Sequence, residues 1–426
     1  MTDAQIINLI NREVVPAIGC TEPAAVALCT AYAVEALGGR PDKIDLKLSA
    51  NMLKNAMGVG IPGTGMTGLP IAVALGALTG KSSYQLEVLK DCTPAAVQQA
   101  KDWLKGGSLS IGLTDESDEV LYIDVRARCG DASSRAIIAR EHTRLVFLEG
   151  PAAEPVDRLQ ELGPVSEQAE GDELTLRRVW DFATTVPLEE IEFINESRRL
   201  NEAAAEQSLR GNYGHELGKT LSRPLGRGIF GDTIFSHIIS ATSSACDARM
   251  AGAMIPVMSN SGSGNQGIAA TLPVVVFARE NHNTDEELTR ALVLSHLTAI
   301  YIKQSLGRLS ALCGCVVAST GSSCALTYLM GGGYEQVTAS VKNMIANLTG
   351  MVCDGAKPSC ALKVSSGVST AVLSAMLAVQ NHSVSCVEGL IEDDVDRCIH
   401  NLTRLGSVGM QQTDKMVLDI MTHKKG

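Results

Sequence analysis

The feature that most constrains the fold is a change of hydrophobic period along the chain. Between residues 108 and 150, apolar and polar residues alternate in four segments, SLSIGL, EVLYIDVRARC, SSRAIIAREH and TRLVFLEG. Short acidic or glycine-bearing turns separate them, which is typical of an antiparallel meander. After residue 174 the apolar residues recur at helical spacing instead. The chain therefore divides into a strand-containing part and a helical part.

The strand-containing part also carries helical signals. Thr2 precedes a first helix, and a second helix is predicted from Pro23, which suits a first turn, to Gly38, which suits a C-terminal stop. Residues 43–50 alternate like a strand, and residues 70–78 predict a closely packed helix. This part is therefore mixed rather than purely β.

The helical part follows a segment without apolar periodicity. Residues 151–174 carry prolines and acidic side chains, which predicts a linker. Beyond it, Thr284 and Glu287 form a capping-box pattern ahead of a long helix that we expect to kink or end near Gly307. Further helices are predicted at 335–349, 369–380 and 390–404.

These patterns predict an α+β fold with two domains. We expect a smaller mixed domain over residues 1–150 that contains the antiparallel strands, and a mainly α-helical catalytic domain over residues 175–426. The length of the chain allows two or three domains and leaves enough residues to bury a core. The first helices of the N-terminal domain are free to pack on the C-terminal domain.

Charge and composition exclude several classes of protein. With 47 acidic against 36 basic residues the formal net charge is -11, and no run of Lys and Arg offers a basic surface, so we expect no nucleic-acid partner. The N-terminus lacks the basic start and apolar stretch of a signal peptide, and no later apolar run reaches the ~18 residues of a membrane span. We expect a cytoplasmic protein without membrane contact. A homo-oligomer is compatible with an Ala- and Gly-rich helical domain.

The cysteines are the most informative residue type. The chain has 12, and its length and composition predict free thiols, most of them packed as small buried side chains. Cys353 and Cys360 frame a loop, because Asp354-Gly355 and Lys357-Pro358 interrupt any helix between them. Two thiolates on such a loop can bind one metal centre when a distant third cysteine completes the set, although this spacing is only moderately specific. The cysteines that follow the long helix are Cys313, Cys315 and Cys324.

Three glycine-rich turns fit the pattern G-x-G-x-x-G, at 58–63, 63–68 and 262–267. A dinucleotide site also needs a preceding buried strand, a following helix and a βαβ context, and these are missing here. Two interpretations stay open: the turns bind a small carboxylate, or the glycines allow tight helix packing. The polar side chains near the turns are Asn51, Asn55, Thr64, Asn260, Ser261 and Asn265.

Several segments together carry a resemblance that spans nearly the whole chain. They are GCTEPAA at 19–25, SANMLKNAMGVGIPGTG at 49–65, MSNSGSGNQG at 258–267, Cys313, and VCDGAKPSC at 352–360. This combination resembles the L-cysteine desulfidase family, which is related to the α-chain of iron-sulfur-dependent L-serine dehydratases. The resemblance implies a [4Fe-4S] cluster that is held by three cysteines and leaves one iron open for the substrate.

The resemblance also assigns the cluster ligands. The matching positions are Cys313, Cys353 and Cys360. Cys315 is near enough to Cys313 to replace it, and this alternative stays open. Some serine dehydratases insert a C-terminal cysteine into the site, whereas this chain ends in THKKG. Blocking of the site by its own tail is therefore not expected.

The catalytic cysteine of the family matches Cys20. We expect this residue to remove the Cα proton, because its position just ahead of the Pro23 helix predicts a thiol pKa lowered by the helix dipole. The nearby Glu22 opposes this effect, and its alternative role is to bind the substrate ammonium. Thr21 and Glu22 join the polar residues of the glycine turns as candidate substrate-binding residues.

The reaction implied by the resemblance is α,β-elimination from L-cysteine, which gives pyruvate, ammonia and hydrogen sulfide. The open iron would act as a Lewis acid without redox change, and its affinity for sulfur favours cysteine over serine. The implied partner is thus a small amino acid.

Three other functions fit parts of the sequence. L-serine dehydration needs the same site and differs by one leaving atom. A pyridoxal-phosphate enzyme would use Lys54, Lys219 or Lys363 as Schiff base, but it leaves the cysteine set without a role. A sensor that binds an amino acid or a metal would not need an incompletely ligated cluster. His142 and His215 are more typical of surface or satisfied residues than of a site.

Overall fold

The structure is a computed structural model that describes residues 1–162, 174–307 and 309–424. The described part is mainly helical with one larger sheet, which confirms the predicted α+β class. The α-helices and strands before residue 163 are α1 (Asp3–Glu13), β1 (Pro16–Ile18), α2 (Thr21–Leu37), β2 (Lys43–Leu48), α3 (Ala50–Ala56), β3 (Gly60–Ile61), β4 (Met66–Thr67), α4 (Leu69–Leu78), α5 (Pro94–Lys105), β5 (Leu109–Leu113), β6 (Tyr122–Cys129), β7 (Ala132–Ala139), β8 (Leu145–Glu149) and β9 (Val156–Asp157). Those after residue 173 are α6 (Leu176–Thr185), α7 (Asn195–Arg210), α8 (Leu217–Ser222), α9 (Pro224–Phe230), α10 (Ile234–Met250), β10 (Pro256–Met258), α11 (Gly264–Glu280), α12 (Asp285–Leu306), α13 (Gly314–Leu329), α14 (Tyr334–Leu348), α15 (Cys360–Val379), α16 (Val395–Arg404) and α17 (Gln411–Thr422).

The larger sheet has the strand order β5-β2-β6-β7-β8-β9. The strands β6, β7 and β8 form the predicted antiparallel meander, with Ile123 opposite Ile138, and β9 extends it by one strand that was not predicted. The prediction was wrong for β5, which runs parallel to β2, while β2 lies between β5 and β6. Parallel neighbours need a long connection, and the helices between β2 and β5 supply it. The turn signals between β5 and β6 therefore do not mark a hairpin.

The sheet continues into the segment that was predicted as a linker. β9 lies within 151–174 and pairs with β8, with Phe147 opposite Asp157. Residues 163–173 of the predicted linker lie outside the described residues. The bounds given above for the two domains therefore stay predictions.

Helix α2 covers one face of the sheet and presents its first residues to the helical part. It packs against β6, β7 and β8 on one side and against α4 on another. Gly76 allows the close approach of α4, because a Cβ at that position would lie 2.5 Å from the carbonyl oxygen of Ala27. Cys20 is the N-cap residue of α2. The buried helix thereby fixes the position of Cys20.

The helical part is built around α13, which packs against α11, α12, α14 and α15. The predicted capping box at the start of α12 is confirmed, since Thr284 Oγ1 accepts from the Glu287 N–H and the Glu287 carboxylate accepts from the Thr284 N–H. The helix ends before Gly307, whose φ of 87° only glycine adopts readily.

The later helices match the predictions at 335–349 and 390–404 to within a few residues, whereas α15 begins at Cys360, earlier than the predicted residue 369. By length and composition, α15 is the one helix of the described part that could cross a membrane. Half of its apolar stretch is buried inside the protein, and the helix packs against α10, α13 and α14.

The start of the chain belongs with the helical part. Ile6 and Ile10 of α1 are fully buried in the core that α11, α12 and α13 form. Strand β1 pairs antiparallel with β10, with Ala17 opposite Val257. The first two elements, α1 and β1, thus pack with the helical part, and α2 is the first element to pack on the sheet.

Candidate active site

Four helices begin at one cavity of about 700 Å³, a volume that includes the solvent space at its mouth. The first residues of α2, α11, α13 and α15 all line it, together with residues of α3, α10 and α12. Helix N-termini carry partial positive charge and unpaired N–H groups. The cavity is therefore suited to bind anionic groups such as thiolates and a carboxylate.

The three predicted cluster ligands lie on the wall of this cavity. A short antiparallel bridge between Leu312 and Val352 sets Cys313 and Cys353 side by side. The Cys313 N–H donates a hydrogen bond to the Met351 carbonyl at 2.9 Å, and the Cys353 N–H donates one to the Ala311 carbonyl. Cys360 is the first residue of α15. The loop that precedes α15 and the N-terminus of this helix thus place the three thiols on the wall of one cavity.

The loop between Cys353 and Cys360 is pressed against α3. Gly355 has a φ of 87°, and a Cβ there would lie 2.2 Å from the carbonyl oxygen of Lys54. The Lys54 ammonium is 1% exposed and forms an ion pair with Asp414 of α17. The ligand loop is thus held between the N-terminal part and the last helix.

Cys315 differs from Cys313 in what its thiol contacts. Its Sγ donates a hydrogen bond to the Lys363 carbonyl at 3.0 Å, and a Cβ on Gly367 would lie 2.9 Å from this sulfur. The sulfur therefore packs against α15. The adjacent Cys315 and the nearby Lys363 ammonium lower the pKa of the Cys313 thiol, while the interaction with Cys313 and burial raise the pKa of Cys315. This arrangement favours Cys313 over Cys315 as a thiolate ligand.

Cys20 lies on the same cavity wall, and its thiol faces a carboxylate. Its Sγ donates to Glu22 Oε2 at 2.8 Å. Complete burial and the Glu22 carboxylate raise the pKa of the Cys20 thiol, and Arg249 opposes them only in part. The prediction of a lowered pKa was wrong, because a helix-dipole effect of about 1 kcal/mol is smaller than the cost of burying a thiolate beside a carboxylate.

The Glu22 carboxylate is hydrogen-bonded to several side chains near Cys20. Its Oε2 accepts from Cys20 and lies 3.1 Å from Thr21 Oγ1, while its Oε1 accepts from Asn55 Nδ2 at 3.4 Å. The Thr21 hydroxyl also donates to the Gly262 carbonyl at 2.6 Å. Thr21 therefore ties the start of α2 to the second glycine turn rather than facing the cavity.

The structure brings only some of the candidate substrate-binding residues to the cavity. Those on its wall are Glu22, Asn55 and Asn265. Those that do not line it are Thr21, Asn51, Thr64, Asn260 and Ser261. The Thr64 hydroxyl, for example, donates to the Ile61 carbonyl at 2.7 Å within the β3–β4 hairpin.

Asn260 and Ser261 belong to a buried polar network behind the wall. Ser261 Oγ donates to Asn260 Oδ1 at 2.9 Å, and Asn260 Nδ2 donates to His296 Nδ1 at 3.1 Å. Complete burial lowers the pKa of His296 to about 3, so its ring is neutral at physiological pH. Since Nδ1 accepts, the ring proton is on Nε2, which donates to Thr271 at 3.0 Å. The network fixes the second glycine turn from behind.

The glycines of that turn serve close packing. A Cβ on Gly264 would lie 2.2 Å from Arg249 Nε, and one on Gly267 would lie 1.9 Å from the Met258 carbonyl oxygen. Of the two open interpretations, tight packing therefore accounts for these glycines. The packing makes room for Arg249, which is 3% exposed and lines the cavity.

Sequence reasoning missed several residues of the wall. They are Arg249, Ser263, Gln266, Lys303 and Lys363, the last considered only as a Schiff base. Gln266 lies in the segment MSNSGSGNQG directly after Asn265, a candidate substrate-binding residue, so the sequence could have indicated it as a further candidate. Arg249 and Lys303 sit on helices whose other residues are largely buried, and a charged residue in such a helix is itself a signal.

Residues 83–419 match the family described as serine dehydratase alpha chain, which is most of the chain. The chain belongs to this family. It is also similar to proteins named UPF0597. One from Phocaeicola vulgatus is 66% identical over 422 residues, which cover 99% of this chain and 98% of that protein. One from Porphyromonas gingivalis is 51% identical over 429 residues, covering 100% and 99%. One from Shewanella pealeana is 45% identical over 425 residues, covering 98% of each.

Membership of the serine dehydratase alpha-chain family indicates a lyase, and this family is typically linked to iron-sulfur chemistry. Among the described residues, no three His, Cys, Asp or Glu side chains are close enough to hold a single metal ion. An iron-sulfur cluster is larger than one ion and uses thiolate donors. The thiols of the cavity wall are donors of that type, and four helix N-termini with Arg249 and Lys363 offset their negative charge. The residues present fit such a group.

Proposed function

We propose that this member of the serine dehydratase alpha-chain family is an L-cysteine desulfidase. It catalyses α,β-elimination of L-cysteine to pyruvate, ammonia and hydrogen sulfide in the cytoplasm. The observation that carries the proposal is the common cavity of Cys313, Cys353 and Cys360 with the hydrogen-bonded pair of Cys20 and Glu22.

Cys313, Cys353 and Cys360 would hold a [4Fe-4S] cluster. When bound, the cluster supplies an open iron that acts as a Lewis acid toward the substrate carboxylate and the departing sulfur. The Arg249 guanidinium on the wall attracts the anionic end of the substrate. Because Arg249 is 3% exposed, little water screens its charge and the attraction is stronger.

Proton transfer falls to Cys20 and Glu22. The Cys20 thiol keeps its proton in the resting site and donates it toward Glu22 Oε2. Movement of this proton onto Glu22 leaves a thiolate at Cys20 Sγ, which takes the proton from the substrate Cα. The pair thus stores a base in protonated form until the substrate is bound.

The alternative with pyridoxal phosphate is less well supported. Lys54 pairs with Asp414 and does not line the cavity, and Lys219 donates to the Gly211 carbonyl at 2.7 Å outside it. Lys363 does line the cavity, but its ammonium is paired with Asp354.

A second candidate is L-serine dehydration, which the family match favours. The deciding experiment is to purify the protein without oxygen, measure iron and acid-labile sulfide, and compare kcat/KM for L-cysteine and L-serine. We expect iron and sulfide in the protein and the higher value for L-cysteine. A higher value for L-serine would favour serine dehydration. A colourless protein that is active only with added pyridoxal phosphate would overturn both candidates, and binding without pyruvate release would indicate a sensor.

A further inference from the structure

Three side-chain amides on the cavity wall each have an oxygen without a hydrogen-bond partner. Four buried amide oxygens of the described part lack a partner, and three of them, Asn55 Oδ1, Asn265 Oδ1 and Gln266 Oε1, belong to residues of this wall. Buried polar atoms are hydrogen-bonded in about 90% of cases or more, and leaving one unpaired costs stability. Three unpaired acceptors at one cavity therefore indicate a ligand that brings hydrogen-bond donors.

The orientation of these amides is fixed by groups that can only accept. Asn55 Nδ2 donates to the Glu22 carboxylate at 3.4 Å, and Gln266 Nε2 donates to the Asn260 carbonyl at 3.5 Å. If either amide were turned around, its oxygen would face another acceptor. Asn265 Nδ2 contacts Met250 Sδ at 3.3 Å, a weak acceptor. The side-chain nitrogens are therefore used inside the protein, and the oxygens are left for the ligand.

Asn55 and Gln266 are also deeply buried, at 7% and 3% exposure. They come from α3 and α11, and the Glu22 carboxylate stands beside Asn55. Three unpaired acceptor oxygens on the wall, one of them on the residue beside the Glu22 carboxylate, would repel the carboxylate of a ligand. They complement an α-ammonium group instead, which is positively charged and has three N–H donors.

We propose that Asn55, Asn265 and Gln266 bind the α-ammonium group of the substrate and so restrict the site to α-amino acids. The proposal rests on the proposed function for the identity of the substrate as an amino acid. It reverses the carboxylate-binding role expected for the asparagines from the sequence. The substrate carboxylate is left to Arg249 and the other cations of the wall.

The test compares two ligands that differ only in the amino group. L-Alanine and propionate have no leaving group, so both bind without being consumed, and calorimetry under anaerobic conditions measures their Kd. We expect the wild-type holoenzyme to bind L-alanine at least about tenfold more tightly than propionate, since hydrogen bonds to a charged group add affinity.

Gln266→Met removes one acceptor and keeps the length of the side chain. We expect it to shrink the alanine-to-propionate ratio by about tenfold while the Kd of propionate stays within about twofold. With L-cysteine, KM should rise more than kcat falls. Gln98→Met, the same change on the exposed face of α5, is the matched control and should leave the ratio unchanged.

The proposal is overturned if the wild type does not distinguish the two ligands, or if Gln266→Met weakens both equally. Thermal unfolding shows whether Gln266→Met is folded; if it is not, Asn265→Leu, a half-buried position, takes its place with the same expectations. Failure of the proposed function gives a different result. A protein that prefers L-alanine over propionate but turns over neither L-cysteine nor L-serine would contradict the proposed function and still support the ammonium site.

Discussion

Two cysteines occupy the same position in two helices and differ in what their thiols face. Cys20 and Cys313 are the N-cap residues of α2 and α13, both are buried, and neither makes a side-chain cap hydrogen bond. Burial and the Glu22 carboxylate raise the pKa of Cys20, whereas the adjacent Cys315 and the Lys363 ammonium lower that of Cys313. A helix N-terminus therefore does not decide the state of a thiol; the groups placed opposite it do.

The difference separates two roles in one cavity. A thiol that loses its proton easily is suited to bind iron, and one that keeps it beside a carboxylate is suited to exchange a proton with the substrate. Substitution of each cysteine separates the two roles.

The largest effect is expected at Cys313. Cys313→Ala should lose iron and acid-labile sulfide together, because two remaining thiols of the loop cannot hold the cluster. Iron and sulfide analysis of the anaerobically purified protein measures this loss. Cys324→Ala, which removes a fully buried thiol from the same helix, is the control and should keep its iron.

Cys315→Ala sharpens the same test. We expect it to keep most of its iron, since the Cys315 thiol is used in a hydrogen bond to Lys363. Loss of iron in Cys315→Ala with retention in Cys313→Ala would assign the ligand to Cys315 instead.

In contrast to Cys313→Ala, Cys20→Ala should keep the cluster and lose turnover. We expect a full complement of iron and sulfide but a kcat lower by about 10²- to 10⁴-fold, the usual range for the loss of a proton-transfer group. Pyruvate release from L-cysteine gives kcat. The exposed Cys386 supplies the control, Cys386→Ala. Near-normal turnover in Cys20→Ala would remove Cys20 from the reaction.

A smaller effect is expected when the cation near Cys313 is removed. Lys363 lies close to Cys313 and donates to the Val352 carbonyl at 2.8 Å, so Lys363→Met loses both charge and support for the ligand loop. We expect iron to be lost to a chelator about 10- to 100-fold faster, as for other groups that support metal ligands. Lys105→Met, at an exposed position of α5, should show the rate of the wild type. An unchanged rate in Lys363→Met would contradict the role given to this cation.

The last prediction concerns the carboxylate near Cys20. Glu22→Gln removes the group that accepts the Cys20 proton, so kcat at neutral pH should fall; the smallest expected effect is a shift in the pH profile of the activity that remains. Glu22 raises the pKa of the Cys20 thiol, so Glu22→Gln lowers it and the thiolate forms at lower pH. The limb of the kcat–pH profile that reports loss of the Cys20 proton should therefore move to lower pH, with the exposed Glu189→Gln as control. A shift to higher pH would contradict the pairing of Cys20 with Glu22.

Local signals in the sequence predicted much of the fold. The capping box at Thr284, the stop at Gly38 and the alternation of β6 to β8 are set by neighbours along the chain, and all are present in the structure. The place of β5 could not be predicted in this way, because its partner β2 lies some sixty residues earlier. Pairing over that distance depends on how the helices between them pack.

The residues of the site could also be predicted only in part, because some of them meet through contacts between distant segments. The cysteine motifs indicated which thiols to examine, and the structure brings them to one cavity. Arg249 and Gln266 reach that cavity only because α10 and α11 pack side by side. The direction of the Cys20 pKa was mispredicted because burial, which the sequence does not show, outweighs the helix dipole.

The most direct measurement is Mössbauer spectroscopy of iron-57-enriched Cys20→Ala protein before and after addition of L-cysteine. This variant should consume the substrate slowly enough for the substrate-bound state to be frozen before turnover. If Cys313, Cys353 and Cys360 hold a four-iron cluster with one open position, the signal of one iron should change on addition while the other three stay the same. A spectrum that L-cysteine leaves unaltered, or a protein without a four-iron signal, would contradict the account.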